Sequence, residues 1–318
     1  MPPPIHPQVT ALLAEQDAEA SAVGPPELAA MRAGYLDAAL RLGGAREEVD
    51  EVEDVVIARP PGGVGEPQAA SGVHARTYRP RGACTPLGAI VWCHGGGWVM
   101  GDLEGFEHVC RALANASGQV VVSVDYRLAP EHPFPAALDD ALAAVDWALG
   151  HGARQLGFDP ERVIVGGDSA GGNLAAVAVR HNHERIAGQL LVYPVTDAAM
   201  ATASYADGAG ADVGGLTPDS MARCFAAYLQ EGDVADPDVS PLRGELAGLP
   251  PTLLAVADHD VLRDDGLAYA AALQAAGVEV ELLRFDDMVH GFLRWGGVVD
   301  RAAELIGAMG DWSRARLG

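Results

Sequence analysis

The sequence predicts an α/β protein, with a mostly parallel sheet flanked by helices and a helical cap added to it. Three observations point there. Short runs of β-branched and other apolar residues alternate with alanine-rich segments of helical period, as in strands joined by crossover helices. Several of these runs end in glycine-rich or acidic loops, where open parallel sheets carry their functional residues. The chain has 318 residues with 49% hydrophobic content, enough for one large core and an appended cap.

Taken in order, residues 6–42 hold two helical stretches, one marked by Val9, Leu12 and Leu13 and the other by Leu28, Met31, Tyr35 and Leu36. Gly24, Pro25 and Pro26 break the helix between them. Strands begin near Val49, and the Gly- and Pro-rich segment 60–72 reads as a flexible hairpin loop or insertion. Residues 88–93 form a buried strand ending in His94, Gly95, Gly96, Gly97 and Trp98. Residues 162–165 form another, followed by Gly166, Gly167, Asp168, Ser169, Ala170, Gly171 and Gly172.

After a strand ending at Tyr193 and Pro194 the alternation breaks over residues 196–249, which carry a helix at 219–229 and a glycine-rich run at 207–215. Two further strands, 251–257 and 278–285, lead into Asp258, His259, Asp260 and into Asp286, Asp287, Met288, Val289, His290 respectively. The organisation is thus cap helices at 1–48, a catalytic unit at 49–195 and 250–318, and a cap insertion at 196–249. No internal repeat is apparent.

Chemistry concentrates in the loops. Gly167 to Gly171 fits G-x-S-x-G, in which small neighbours let a sharp strand-to-helix turn lift the serine hydroxyl clear of the backbone. The helix that follows points its N-terminus at developing negative charge. The glycines after His94 leave backbone N–H groups unobstructed, which suits an oxyanion hole completed by the amide of Ala170. Histidine and a buried carboxylate supply the base and the group that fixes its tautomer. Asp258, Asp260 and Asp264 all lie near enough in sequence to be that acid. The residues alone leave that choice open.

With these motifs on hand, the chain resembles the hormone-sensitive-lipase-like family of bacterial carboxylesterases, within the α/β-hydrolase superfamily. The resemblance runs from Ile90 to Phe292. It is carried by His94 to Trp98, by Asp125 Tyr126 Arg127 Leu128 Ala129 Pro130 Glu131, by Gly167 to Gly172, by Ser240 Pro241 Leu242, by Asp260 Val261 Leu262 Arg263 Asp264, and by His290 Gly291 Phe292. It implies an α/β-hydrolase fold, Ser169 as nucleophile, His290 as general base and acid, Asp260 as orienting acid, and Gly95, Gly96 and Ala170 as oxyanion donors. The resemblance favours Asp260 by its spacing from Leu262, Arg263 and Asp264, with Asp258 as the alternative. Gly97 and Trp98 would border the substrate pocket, and the two cap regions would combine into a lid. The chain departs from the family in having Asp258 and His259 where relatives carry Glu and an aromatic residue.

The activity so implied is hydrolysis of carboxylic esters with no cofactor and no metal; a lid over the serine, the bulk of Trp98 beyond the oxyanion glycines and the lack of a long apolar segment make short-acyl esters the expected substrates. Amidase, lactonase or natural-product deacetylase chemistry shares the same apparatus. A plant hormone receptor on this scaffold lacks the histidine that His290 supplies, so ligand binding without turnover is disfavoured. Tyr126, Arg127 and Glu131 read as structural, and Asp168 as a hydrogen-bond acceptor that fixes a loop. The resemblance also implies a homodimer paired through the edge strand 278–285.

The formal net charge is −23, and all 21 basic residues are arginine. Such a balance repels phosphate backbones and anionic membranes, excluding nucleic-acid binding and membrane association as functions. The first residues show neither a basic segment nor an apolar one of signal-peptide type, so a cytoplasmic location is expected. Cys84, Cys93, Cys110 and Cys224 lack metal-ligand spacing and read as free thiols.

Overall fold

A computed structural model describes residues 4–19, 27–59, 72–83, 86–210 and 215–318. Two helices come first, α1 (Pro7–Glu19) and α2 (Leu28–Leu42). The chain then alternates through β1 (Glu51–Ile57), β2 (Val73–Arg79), β3 (Leu87–Cys93), α3 (Leu103–Ser117), β4 (Val120–Asp125), α4 (Ala136–Trp147), α5 (Ala153–Leu156), β5 (Phe158–Asp168), α6 (Ala170–Asn182) and β6 (Gly188–Val192). Helices α7 (Ala203–Ala206) and α8 (Pro218–Leu229) interrupt that rhythm, which resumes with β7 (Thr252–His259), α9 (Arg263–Ala275), β8 (Val280–Val289) and α10 (Asp300–Leu317).

The strands make one eight-stranded sheet in the order β1-β2-β4-β3-β5-β6-β7-β8. β2 pairs antiparallel with both neighbours, and every pairing from β4 to β8 is parallel. The predicted α/β-hydrolase architecture is therefore the observed one. β3 lies at the centre and is buried along its whole length, as parallel strands covered on both faces are. Its side chains alternate: Ala89, Val91 and Cys93 join the layer under α4, α6 and α9, while Ile90 and Trp92 join the layer under α3 and α10. Full burial of each large apolar side chain contributes about 1.5–3 kcal/mol, so these two layers hold the strand ends in place.

One boundary differs from expectation in a way that matters. The strand expected at 278–285 runs to Val289, and Asp286 and Asp287 belong to it rather than to a loop. The edge strand tolerates this because neither aspartate is left buried and unpaired: Asp286 is exposed and Asp287 pairs with Arg301 at 3.2 Å, while Phe285, Met288 and Val289 are buried. His290 thus stands immediately beyond the strand. The helix break at 24–26, the segment 60–71, Cys84 and the centre of the glycine run at 211–214 lie outside the described residues. Among the described residues, Cys93, Cys110 and Cys224 are unpaired thiols, and no helix is long and apolar enough to cross a membrane.

Candidate active site

Ser169 sits between β5 and α6 with φ 56° and ψ −121°. A non-glycine residue in that region costs on the order of 1–3 kcal/mol and persists only where its surroundings enforce it. Here the Ser169 N–H donates to Val192 O at 2.9 Å, and its carbonyl accepts from Asn173 N at 3.1 Å. The flanking glycines are required by close approach. A Cβ on Gly171 would lie 2.0 Å from Cys93 O, and one on Gly167 would lie 2.4 Å from Gly171 O. The elbow is thereby pressed against the end of β3, where the glycine-rich loop begins.

Three strand ends bring three side chains together. His290 Nε2 is 2.9 Å from Ser169 Oγ, and His290 Nδ1 is 2.6 Å from Asp260 Oδ2. Asp260 is 1% exposed and its other oxygen accepts from Leu262 N at 2.9 Å. An ionised carboxylate accepts only, so Nδ1–H donates to Asp260 and Nε2 is left to accept from the serine hydroxyl. The Tyr193 ring packs 4.6 Å from the imidazole, centroid to centroid. Asp258 is engaged elsewhere, by Arg284 at 2.7 Å, and Asp264 accepts from Arg263 and from Ser204 N. Of the three nearby aspartates, Asp260 alone meets His290.

The oxyanion assignment needs correction. Gly95 N–H donates to Asp168 Oδ1 at 2.9 Å and so has no free proton to offer a substrate oxygen. Among the described residues, the amides of Gly96, Gly97 and Ala170 donate to nothing. The turn presenting them is fixed: Gly96 O accepts from Val99 N and Met100 N, and Trp98 O accepts from Ala129 N. Of the three expected donors, Gly95 is thus occupied while Gly96 and Ala170 stay unengaged, a difference the sequence hides because every glycine in the run is equivalent on paper. Asp168 has the loop-fixing role expected of it, and burial pushes its carboxyl up to about 6, with the Arg294 charge and the Gly95 N–H pulling the other way.

His94 takes no part in proton transfer. Its ring is buried between Tyr126 and Phe106, at 4.3 and 5.3 Å, and donates from Nδ1 to Gly95 O. Burial brings its pKa down to about 4, which keeps the ring neutral. Tyr126 OH donates to the His94 carbonyl at 2.7 Å, and Arg127 holds the buried Asp140, so the structural reading of both agrees with their contacts.

Trp98 is a second correction. It is fully buried; it stacks on Tyr228 of α8 at 4.4 Å and 3°, and Phe225 of α8 packs tilted against it at 5.2 Å, so its ring faces α8. Gly97 also packs against α8, since a Cβ there would sit 2.4 Å from Cys224 Sγ. Two arginines escaped sequence reasoning altogether. Arg32 of α2 donates to Val99 O at 2.8 Å, and the Arg294 guanidinium lies 3.8 Å over the Tyr35 ring. No motif marks either one; on paper each is a charge on a solvated face. Among the described residues, no cluster of His, Cys, Asp and Glu has the grouping to hold a metal ion.

A family model described as the alpha/beta hydrolase fold matches residues 90–294. Carboxylesterase NlhH of Mycobacterium tuberculosis is 42% identical over 244 residues, covering 74% of this chain and 76% of that protein. Ethyl acetate hydrolase of Pseudomonas putida is 38% identical over 238 residues, covering 72% and 74%. Among solved structures, a hyperthermophilic esterase from Pyrobaculum calidifontis superposes with a TM-score of 0.90 at 35% identity, over 98% of this chain and 99% of that one.

Proposed function

This chain belongs to the α/β-hydrolase family, in its hormone-sensitive-lipase-like branch of carboxylic ester hydrolases, and on that premise we propose that it cleaves short-acyl esters through a Ser169–His290–Asp260 triad and an acyl-enzyme intermediate. The observation that carries this reading is the unbroken line of hydrogen-bond distances, 2.9 Å from serine to imidazole and 2.6 Å from imidazole to carboxylate. Ser169 Oγ attacks the ester carbonyl as His290 Nε2 takes its proton. The tetrahedral oxyanion is met by the amides of Gly96, Gly97 and Ala170, none of which has an acceptor among the described residues. The proton then passes from Nε2 to the departing alcohol. Water then attacks the acyl carbon as His290 takes one of its protons, and His290 returns that proton to Ser169 Oγ as the acyl–oxygen bond breaks and the acid leaves, while Asp260 holds the imidazolium in each half-reaction.

Short acyl chains are favoured because α8 lies directly on the loop beside the nucleophile, through Trp98, Tyr228 and the Gly97–Cys224 contact. The relative acting on ethyl acetate supports the same preference. We also propose that the described parts of 1–48 and 196–249 form a lid, that β8 pairs with a second copy along its open edge, where Leu282 is 36% exposed, and that the enzyme works in the cytoplasm, a reading supported by the unpaired Cys93, Cys110 and Cys224 among the described residues. Turnover of p-nitrophenyl acetate by Ser169→Ala and His290→Ala tests the triad: each should lose on the order of 10⁶-fold in kcat, more than the loss of Asp260 costs. Wild-type turnover in Ser169→Ala rejects the proposal.

A further inference from the structure

Helix α2 reaches the oxyanion loop through one side chain. Arg32 spreads its guanidinium over two backbone carbonyls, with Nε donating to Val99 O at 2.8 Å and Nη2 to Ala129 O at 3.0 Å. Its outer edge meets Glu131 at 2.7 and 2.8 Å. The Glu131 pair is half-exposed, and such pairs contribute little by themselves. The carbonyls are the informative partners.

Val99 O and Met100 N–H belong to one rigid peptide plane. Arg32 holds that plane by its oxygen, while its N–H donates to Gly96 O at 2.9 Å. Gly96 O in turn belongs to the same plane as Gly97 N–H, an amide with no acceptor among the described residues. Two planes therefore stand in series between the guanidinium and a candidate oxyanion donor. Fixing the first restricts rotation of the second. The charge acts along the same line: a cation on Val99 O makes Met100 N–H a stronger donor, which polarises Gly96 O and strengthens Gly97 N–H in turn.

We propose that Arg32 is a positioning residue for ester hydrolysis, aiming and polarising the Gly97 N–H at the developing oxyanion through the Val99–Met100 and Gly96–Gly97 peptide planes. The role rests on the serine-esterase reading above. It differs from a simple tether for α2 because it acts on the transition state, whose charge sits on the oxygen, and hardly at all on the neutral bound ester.

The test measures kcat, KM and the affinity of a trifluoromethyl ketone, which adds Ser169 Oγ to its carbonyl and places an oxyanion in the same hole. Arg32→Ala should lower kcat about tenfold or more, as expected when one oxyanion donor is weakened but not removed, with KM changed by less than about twofold. Ketone affinity should fall by the same factor as kcat/KM, and the midpoint of the kcat/KM pH profile should not move. Arg32→Lys, which keeps a charged donor, should recover part of both losses. Glu131→Gln, which spares the carbonyl contacts, should stay within about twofold of wild type, as for other exposed ion pairs.

Should Arg32→Ala fail to fold, the series wild type, Arg32→Lys, Arg32→Gln carries the test and should decline in that order in both kcat and ketone affinity. The proposal is overturned by kcat and ketone affinity that stay at wild-type levels, by a loss confined to KM, or by a Glu131→Gln loss equal to that of Arg32→Ala. A turnover-competent Ser169→Ala would instead remove the parent reading, whatever Arg32 does.

Discussion

Gly95 gives its backbone N–H to Asp168 Oδ1 at 2.9 Å, so the residue that precedes the nucleophile also holds the glycine-rich loop after β3. The bond joins the ends of two adjacent parallel strands, β3 and β5, whose ladder already pairs Cys93 with Gly167. A carboxylate this deeply buried is expensive, and the cost depends on pH.

The sign follows from the two states. In an unfolded chain an aspartate loses its proton near its ordinary 3.8, whereas the folded carboxyl holds it to about 6. Between those values the folded state binds the extra proton, so this group's contribution falls as pH rises through the window; the penalty is absent below it and complete above it. Asp168→Asn keeps an acceptor for Gly95 and has no such titration. Its stability relative to wild type should therefore improve by about 2 kcal/mol between pH 4 and pH 7. Urea midpoints of both proteins at the two pH values check this, and a difference that ignores pH contradicts it.

The acid of the triad can be decided by paired substitutions. Asp260→Asn loses the carboxylate that accepts from His290 Nδ1 and invites the wrong imidazole tautomer, so kcat should drop by on the order of 10⁴ with the fold intact. Asp258 is bound to Arg284 at the end of β7. Asp258→Asn should cost less than about tenfold, since it breaks a partly exposed pair and touches no reacting group. Steady-state kinetics with one activated ester separate the two, and the opposite ranking would move the role to Asp258.

Acyl-chain length tests the enclosed pocket. Each methylene that fits adds about 0.8 kcal/mol of burial, whereas one forced into filled space costs about 1–3 kcal/mol. Across p-nitrophenyl esters from acetyl to palmitoyl, kcat/KM should peak between acetyl and hexanoyl and then fall sharply. A maximum at dodecanoyl or beyond, with activation at an oil–water interface, would describe a true lipase.

Much of this site was legible in the sequence because its geometry is written in glycines and strand ends. Ser169 needs a sharp corner, and Gly167 and Gly171 announce one; Asp260 and His290 each follow an apolar run that can only be a buried or edge strand. What stayed hidden depends on which way a group points. Gly95, Gly96 and Gly97 are indistinguishable as letters, yet the Asp168 carboxylate takes the first amide and leaves the others open. Trp98 reads as a pocket residue until the stacked ring of Tyr228, far along the chain, is seen to cover it. Arg32 carries no local signal at all, because its partners are carbonyls, and every residue has one.

The central claim is that Ser169 forms the covalent bond to the acyl group. Incubation with a p-nitrophenyl alkylphosphonate, followed by intact-mass measurement and peptide mapping, tests it most directly. The account requires one phosphonyl group per chain, located on Ser169, appearing in step with the loss of esterase activity and absent from Ser169→Ala. Full inactivation with Ser169 unmodified, or stoichiometric labelling of Ser169 that leaves turnover intact, would contradict it.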